Sequence, residues 1–318
     1  MFAKETYFYT RFQNLQSVTN QSYSQMKKIT ERIKANEVLI SDGAWGTFLQ
    51  QKGLRPGECP ELWNITHREE VLSIAQNYVN AGSNMIETNS FGGSRFKLEH
   101  FGLGDQVFKI NKAAAEISRE AAGNDIYVLG SIGPTGKLLI MEEVTTDELT
   151  HAFREQAVGL EEGGANAIII ETFTDLEEAK CAIRAAKENT SLEVICTMTF
   201  DKTIDGEYRS MMGVSPSDMT IELTEAGADI IGANCGNGME GMIAITKEIR
   251  SVNKDIPILI HANAGAPIFK NGVTTFPETP EFMAGLIQEL IFSGANIIGG
   301  CCGTTPEHIK QMATAAKS

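Results

Sequence analysis

The chain has 318 residues, enough for one large domain or two small ones. Its apolar fraction of 42% and charged fraction of 21% are those of an ordinary globular protein. A formal charge of −14 at pH 7 argues against non-specific binding to nucleic acid or to an anionic membrane, because both surfaces repel an acidic protein.

Neither a membrane-spanning segment nor a secretory signal is expected. No run approaches about 18 uncharged apolar residues, the length that indicates a transmembrane helix. The opening MFAKETYFYTRFQNL lacks the apolar core of a signal peptide. Six cysteines, two of them adjacent, do not make a disulfide framework in so long a chain. Reduced thiols and a cytoplasmic location are therefore predicted.

Residues 1–25 are polar and without periodicity, which predicts a disordered or loosely attached tail. Met26 opens MKKITERIKANEVLISDG, which predicts a helix followed by a strand. No linker rich in Pro, Gly or Ser divides the chain beyond this point. Residues 26–318 are therefore expected to form one domain.

Repetition is the strongest structural signal in the chain. Four segments join small residues to an apolar run: AGSNMIETNSF (81–91), GGANAIIIETF (163–173), AGADIIGANCG (226–236) and SGANIIGGCCG (293–303). Four further apolar runs lie between them: VLISDGAWG (38–46), YVLGSIGP (127–134), EVICTMTF (193–200) and PILIHANAG (257–265). Helical patterns separate these eight predicted strands, and the last two are PEFMAGLIQELIFSG (280–294) and PEHIKQMATAAK (306–317).

Continuous apolar strands that alternate with helices predict a parallel sheet buried on both faces. Eight such units indicate an α/β fold of the closed (β/α)8 TIM-barrel type. An open, doubly wound sheet is the alternative, but eight near-equal units favour closure.

In a barrel, the active site is built at the carboxyl ends of the strands. That rule selects a set of polar residues: Asp42, Glu87, Thr88, Asn89, Glu171, Thr172, Asn234, Cys235, His261, Asn263, Cys301 and Cys302. Glu87 and Asn89 could contact substrate or could be buried hydrogen-bonding groups, and His261 is interpreted as a core histidine.

Three of the six cysteines belong to this set. The glycines of GGCCG allow a sharp turn that could point both Cys301 and Cys302 at one ion, and Cys235 would add a third sulfur. A three-thiolate zinc site has one tetrahedral position open, as in catalytic sites. A free cysteine can instead serve as a small buried hydrophobic residue. We expect this structural role for Cys59, Cys181 and Cys196.

An open zinc site with three thiolates suits a thiol substrate. The anionic shell is a poor activator of water, but a thiol that coordinates the metal is deprotonated. No H-E-x-x-H motif of a hydrolytic zinc enzyme is present. These residues therefore predict a methyl transfer to a substrate thiolate.

The chain resembles the homocysteine S-methyltransferase family, and within it the homocysteine-binding domain of cobalamin-dependent methionine synthase. The resemblance begins near Ile40 and runs through SDGAWGT, IETNSF, GSIGPTG, IIETF, GANCG, HANAG and GGCCGTTPEHI. Ala262 stands where the family often has proline, and the 25-residue N-terminal extension is a second departure.

The resemblance implies roles for individual residues. Cys235, Cys301 and Cys302 match the family's zinc ligands, and Asp42 and Glu171 match carboxylates that hold the homocysteine amino group. Asn263 matches an asparagine that can occupy the zinc when substrate is absent.

The expected reaction is methyl transfer to homocysteine, giving methionine. The expected donor is methylcobalamin carried by a separate corrinoid protein. Alternative donors are S-methylmethionine, S-adenosylmethionine or a betaine-like compound. A different alternative is a non-catalytic zinc barrel that docks a corrinoid protein.

Overall fold

The computed structural model describes residues 26–270 and 273–317. The tail predicted over residues 1–25 lies outside these ranges. Twelve strands are present in the described part of the chain: β1 Leu39–Ile40, β2 Met85–Glu87, β3 Tyr127–Ile132, β4 Ala167–Phe173, β5 Glu193–Met198, β6 Asp201–Lys202, β7 Tyr208–Arg209, β8 Ile230–Asn234, β9 Ile258–Ala262, β10 Ile268–Lys270, β11 Val273–Thr275 and β12 Ile297–Gly300.

Eight of these strands form one parallel sheet in the order β1-β12-β9-β8-β5-β4-β3-β2, and each lies in one of the eight predicted segments. The two end strands are joined by Asn84, whose backbone N donates to Ile40 O at 2.7 Å while its Oδ1 accepts from Ile40 N at 2.8 Å. The sheet is thus nearly closed into a barrel. The TIM-barrel prediction is confirmed, and the open sheet is wrong.

Helices lie between the barrel strands, as parallel crossover connections require. Their bounds are α1 Ile29–Lys34, α2 Gly46–Gln51, α3 Trp63–Thr66, α4 Arg68–Asn80, α5 Arg95–Glu99, α6 Val107–Ala122, α7 Thr146–Glu162, α8 Leu176–Asn189, α9 Pro216–Glu225, α10 Met239–Val252, α11 Pro280–Gly285, α12 Ile287–Ser293 and α13 Pro306–Ala315. The single helix predicted over 280–294 is two helices, because the α-helical hydrogen-bond pattern is interrupted at Leu286 (φ −100°, ψ −2°), whose N–H bonds to Met283 O. No helix within the described ranges is long and apolar enough to span a membrane.

The repeated Asn or Asp of the four small-residue segments has a structural role. Each donates its backbone N to a carbonyl on the neighbouring strand and accepts, through its side chain, the N–H of that same residue. The four pairs are Asn84 with Ile40, Asn166 with Val128, Asp229 with Val194 and Asn296 with Ile258. These pairs lock neighbouring strands together where β2, β4, β8 and β12 begin, at the end of the barrel opposite the predicted site.

Helix α1 closes that end. Ile29 and Ile33 are buried against inward-facing residues of the strands, including Leu129 and Ile169. The Glu193 carboxylate accepts Ile29 N at 2.6 Å and also binds the backbone N and hydroxyl of the following threonine. It therefore satisfies backbone donors that every helix N-terminus leaves free.

Candidate functional site

Three cysteine side chains meet at the carboxyl ends of the strands. Cys235 follows β8, and Cys301 and Cys302 follow β12. Their sulfur atoms all lie within 4.8 Å of one another, and the Cys235 and Cys302 sulfurs are 3.9 Å apart. Within the described ranges, this is the one group of three or more His, Cys, Asp or Glu side chains whose ligand atoms approach this closely.

Strand β9, which lies between β8 and β12, fixes the backbone of Cys235 and Cys301, and the residues just after β9 fix that of Cys302. Cys235 has a left-handed φ of 60° and donates its N–H to His261 O at 3.0 Å. Cys301 N donates to Ala262 O at 2.7 Å, and Cys302 O accepts from the N–H of Ala264 at 3.0 Å. The cluster therefore rests on rigid sheet hydrogen bonds rather than on a free loop.

Two glycines of the GGCCG segment are required by this geometry. A Cβ on Gly299 would lie 2.8 Å from Asp42 O and from His261 Cδ2, closer than real contacts allow. Gly303 has φ +81°, and its Cβ would meet the ring of Phe276 at 2.1 Å. Side chains at either position would displace the segment that carries Cys301 and Cys302.

The three thiols share one negative charge. Hydrogen bonds from the thiols of Cys301 and Cys302 lower the pKa of Cys235 to about 3, with a smaller contribution from the Asn263 side chain. The same contact with Cys235 raises the pKa of Cys302 to about 11 and that of Cys301 well above its usual range. Further ionisation needs a cation to compensate the accumulating charge.

The cluster fits a zinc ion. Two sulfurs at about 2.3 Å from a tetrahedral metal lie about 3.8 Å apart, close to the observed distance between Cys235 and Cys302. Beside them, the buried Oδ1 of Asn263 has no hydrogen-bond partner among the described residues. An unpartnered oxygen next to three sulfurs is consistent with a ligand that this pocket is built to hold.

A buried cluster of carboxyl groups adjoins the cysteines. Asp42, Glu87 and Glu171 are each less than 10% exposed. Asp42 Oδ2 accepts from Trp45 Nε1 and from Glu87 N, both at 2.8 Å. Glu87 Oε1 lies 3.3 Å from Nδ1 of the buried His261.

Glu171 occupies the same pocket from β4. Its Oε1 accepts from the Ser131 hydroxyl at 2.5 Å, and its Oε2 lies 3.5 Å from Asn234 Nδ2. Two backbone hydrogen bonds join this pocket to the cysteines, because Gly300 N donates to Asp42 O at 2.8 Å and Cys235 N donates to His261 O. The backbone segments that carry the carboxyls and the sulfurs are therefore hydrogen-bonded to each other at the same end of the barrel.

The electrostatics of the carboxyl cluster favour a bound cation. Burial raises the pKa of Asp42, and burial together with a neighbouring carboxylate raises those of Glu87 and Glu171 well above the usual range. Burial also lowers the pKa of His261. Throughout the described ranges, no lysine or arginine forms an ion pair with these carboxyls.

The other predicted residues occupy different surroundings. Asn89 donates through Nδ2 to Pro60 O at 2.8 Å and to Asn64 Oδ1 at 3.1 Å, so it supports the loop before α3, and its substrate contact stays a prediction. Cys59, Cys181 and Cys196 are buried away from the sulfur cluster.

Three supporting residues had no predicted role. Ser131, which binds Glu171, lies inside the apolar strand β3, where a small polar residue gives no distinct signal. Asn234 and Thr172 were placed at the strand ends, but nothing in the sequence showed that they contact each other.

Comparison with known proteins agrees with this geometry. Residues 39–316 match the family described as homocysteine S-methyltransferase. The chain belongs to the homocysteine S-methyltransferase family. This is a family of methyltransferase enzymes, so the resemblance inferred from the motifs is confirmed.

Curated relatives include two enzymes named methionine synthase. That of Mycobacterium leprae is 30% identical over 300 residues, covering 88% of this chain and 24% of the relative. That of Mycobacterium tuberculosis is 30% identical over 306 residues, covering 89% and 25%. The chain thus spans about a quarter of the length of these relatives.

Solved structures of the homocysteine methyltransferase MmuM from Escherichia coli share the fold. The metallated form superposes with a TM-score of 0.73 at 19% identity, covering 89% of this chain and 98% of that one. The oxidized form gives a TM-score of 0.72 at 20% identity, covering 91% and 99%.

Proposed function

We propose that the chain transfers a methyl group to the thiol of homocysteine, giving methionine. One observation carries the proposal: a carboxyl pocket without lysine or arginine partners in the described chain lies directly beside a three-sulfur cluster. Homocysteine carries an ammonium group and a thiol on the same short molecule, which complements both halves. Membership in the homocysteine S-methyltransferase family supports the same reaction.

Cys235, Cys301 and Cys302 would hold zinc in the sulfur half of the site. Zinc there would supply an open coordination position that ionises an incoming thiol near neutral pH. The chain's own contribution is to hold the three sulfurs in place through β9. The Asn263 side chain, already in contact with Cys235, would occupy the space that substrate later takes.

The carboxyl half would bind the ammonium group of the amino acid. Glu171 and Asp42 are the proposed contacts, and Glu87 adds Oε1, which lies 3.3 Å from His261 Nδ1 but makes no hydrogen bond within the described residues. Asp42 Oδ1 accepts a long hydrogen bond of 3.4 Å from the Ser41 hydroxyl and retains capacity for a further donor. An ammonium ion placed among these groups would satisfy them and compensate their charge.

The donor is proposed to be methylcobalamin carried by a corrinoid protein. Exposed apolar side chains stand on loops at the same end of the barrel. They include Ile140 and Met141 after β3, Met211 after β7 and Phe269 in β10, each more than 60% exposed. Apolar groups in such positions favour contact with a macromolecule over delivery of a small polar donor.

The metal assignment is tested by zinc content. Cys302→Ala should lose most of the roughly one zinc per chain that the wild type is expected to bind, whereas Cys181→Ala should retain it. Equal retention in the two variants would remove the proposed site.

The reaction itself is tested by supplying homocysteine with a panel of methyl donors and measuring methionine. We expect turnover with a methylated corrinoid protein. Turnover only with S-methylmethionine, S-adenosylmethionine or a betaine would support homocysteine as the methyl acceptor and contradict methylcobalamin as the donor. No methionine from any donor, in protein that binds zinc, would favour a non-catalytic barrel that docks a corrinoid protein.

A further inference from the structure

Strand β4 contains a strained turn immediately after the predicted substrate carboxylate. Thr172 has φ 65°, a conformation that is an outlier for a β-branched residue. The pairing of β4 with β5 shifts at the same place, because Ile170 pairs with Cys196 whereas Phe173 pairs with Met198. Three steps along β4 therefore match two along β5, the signature of a β-bulge.

The bulge changes which side chains face the barrel interior. Ile168 and Ile170 pack outward against the helices, and Ile169 packs inward. In a regular strand Phe173 would also point inward, but the extra residue returns it to the outer core, where its ring lies 5.9 Å from that of Phe153. Glu171 and Thr172 both contact the interior residue Asn234 as a result.

The Asn234 side chain uses all of its hydrogen-bonding capacity, and three of its four hydrogen bonds hold this turn in place. Its Oδ1 accepts from Thr172 N and from the Thr197 hydroxyl, both at 2.7 Å. Its Nδ2 donates to Thr172 Oγ1 at 2.7 Å and to Glu171 Oε2 at 3.5 Å. The backbone N–H of Thr172 can pair only with an acceptor, so the orientation of the amide is fixed.

The strain needs such a clamp. A non-glycine residue in a sparsely populated backbone conformation is energetically unfavourable and persists only where its surroundings enforce it. Two of the four side-chain hydrogen bonds of Asn234 are made with Thr172. Without them, Thr172 would be expected to return to an extended conformation and move Glu171.

We propose that Asn234 is a positioning residue that holds Glu171 in the ammonium-binding geometry by stabilising the strained conformation of Thr172. The site would thereby discriminate thiols that carry an α-amino group from those that do not. This inference rests on the proposed function, because it assumes that Glu171 binds the ammonium group.

The test compares binding of two thiols to the zinc-loaded protein by calorimetry. Homocysteine carries the amino group, and 4-mercaptobutyrate has the same thiol and carboxylate without it. Asn234→Ala should raise the Kd for homocysteine about 10–100-fold, as expected for a lost charge-assisted contact. The Kd for 4-mercaptobutyrate should stay within about threefold. Thr197→Val, which removes a hydroxyl bound to Asn234 but leaves Thr172 alone, is the matched control.

A second substitution should restore selectivity. Glycine adopts positive φ without steric penalty, so Thr172→Gly can keep the bulge without the clamp. The double variant Asn234→Ala/Thr172→Gly should therefore bind homocysteine within a few-fold of Thr172→Gly alone. A pair that leaves Asn234 intact tests the same point: Thr172→Val keeps the β-branch and should lose selectivity, whereas Thr172→Gly should keep it.

The outcomes separate this inference from the proposed function. If wild-type protein binds both thiols equally, Glu171 does not bind an amino group and both ideas fail. If wild type discriminates but Asn234→Ala weakens the binding of both thiols equally, the positioning role alone is wrong. The same holds if Thr172→Gly does not restore homocysteine binding in the double variant. Should Asn234→Ala not fold, equal selectivity of Thr172→Val and Thr172→Gly would overturn the role.

Discussion

The carboxyl cluster should make the ligand-free protein less stable as pH rises, and Glu87→Gln should reduce that effect. Burial and the charge of Asp42 raise the pKa of Glu87 well above its usual range. A carboxyl with a raised pKa takes up a proton on folding. Its contribution to stability is therefore full below the unfolded pKa of about 4.3 and is lost as pH rises towards the folded value.

The size of the effect follows from linkage. One group that is protonated in the folded chain and ionised in the unfolded chain changes the unfolding free energy by about 1.4 kcal/mol per pH unit. Between pH 5.5 and 7.5 the loss from one such group is therefore at most about 2.7 kcal/mol. Glutamine keeps the shape and can still contact His261, but it carries no charge to desolvate. The variant should consequently gain on the wild type across this interval.

Urea unfolding of both proteins at matched pH and metal content measures the difference. The control is Glu37→Gln, at an exposed carboxyl whose pKa is lowered by a hydrogen bond from Arg32. A group with a lowered pKa contributes stability that is lost only as pH falls below the unfolded pKa. The difference in unfolding free energy between Glu37→Gln and wild type should therefore not change over this interval. A flat difference for Glu87→Gln as well would refute the reasoning. Saturating homocysteine should also flatten the wild-type slope, because its ammonium compensates the carboxylates.

Two further predictions concern the fold and the metal segment. Glu193→Gln should lower the unfolding free energy by about 1–3 kcal/mol, because a charged acceptor for Ile29 N is lost from the closed end of the barrel. The control Glu188→Gln, at an exposed position on α8, should leave the unfolding free energy unchanged. Equal urea midpoints for the two variants would contradict the stabilising role of Glu193. Gly299→Ala should reduce zinc binding, because its Cβ would press against Asp42 O and His261 and displace the segment that carries the cysteines. Gly285→Ala, where a Cβ meets nothing within 4 Å, should keep wild-type zinc content, and the same content in Gly299→Ala would contradict the steric argument.

The barrel could be predicted because its signal is redundant. Parallel strands buried on both faces read as apolar runs, and eight of them alternate with helices. The two small hairpins, β6–β7 and β10–β11, were not predicted. They lie in loops at the site end and are too short to carry a periodic pattern, and both residues of β6 are exposed. The break at Leu286 was missed for a related reason, since apolar spacing continues through it.

The sulfur cluster was predictable for a chemical reason. Two adjacent cysteines between glycines have few structural uses, and the topology of a barrel brings the ends of β8 and β12 to one edge. The carboxyls are a different case. Asp42 and Glu171 were assigned through family resemblance, and their burial without a basic partner in the described chain became evident only in the structure.

The conformation of Thr172 shows where sequence reasoning stops. Nothing in the local sequence IETFT predicts positive φ, since a β-branched residue disfavours it. The cause lies 62 residues away, in the side chain of Asn234. That residue is followed at once by Cys235, which also has positive φ. The proposed ammonium contact and one proposed metal ligand therefore depend on the same short stretch of β8. A substitution in this stretch should therefore affect both the proposed ammonium contact and the proposed metal site.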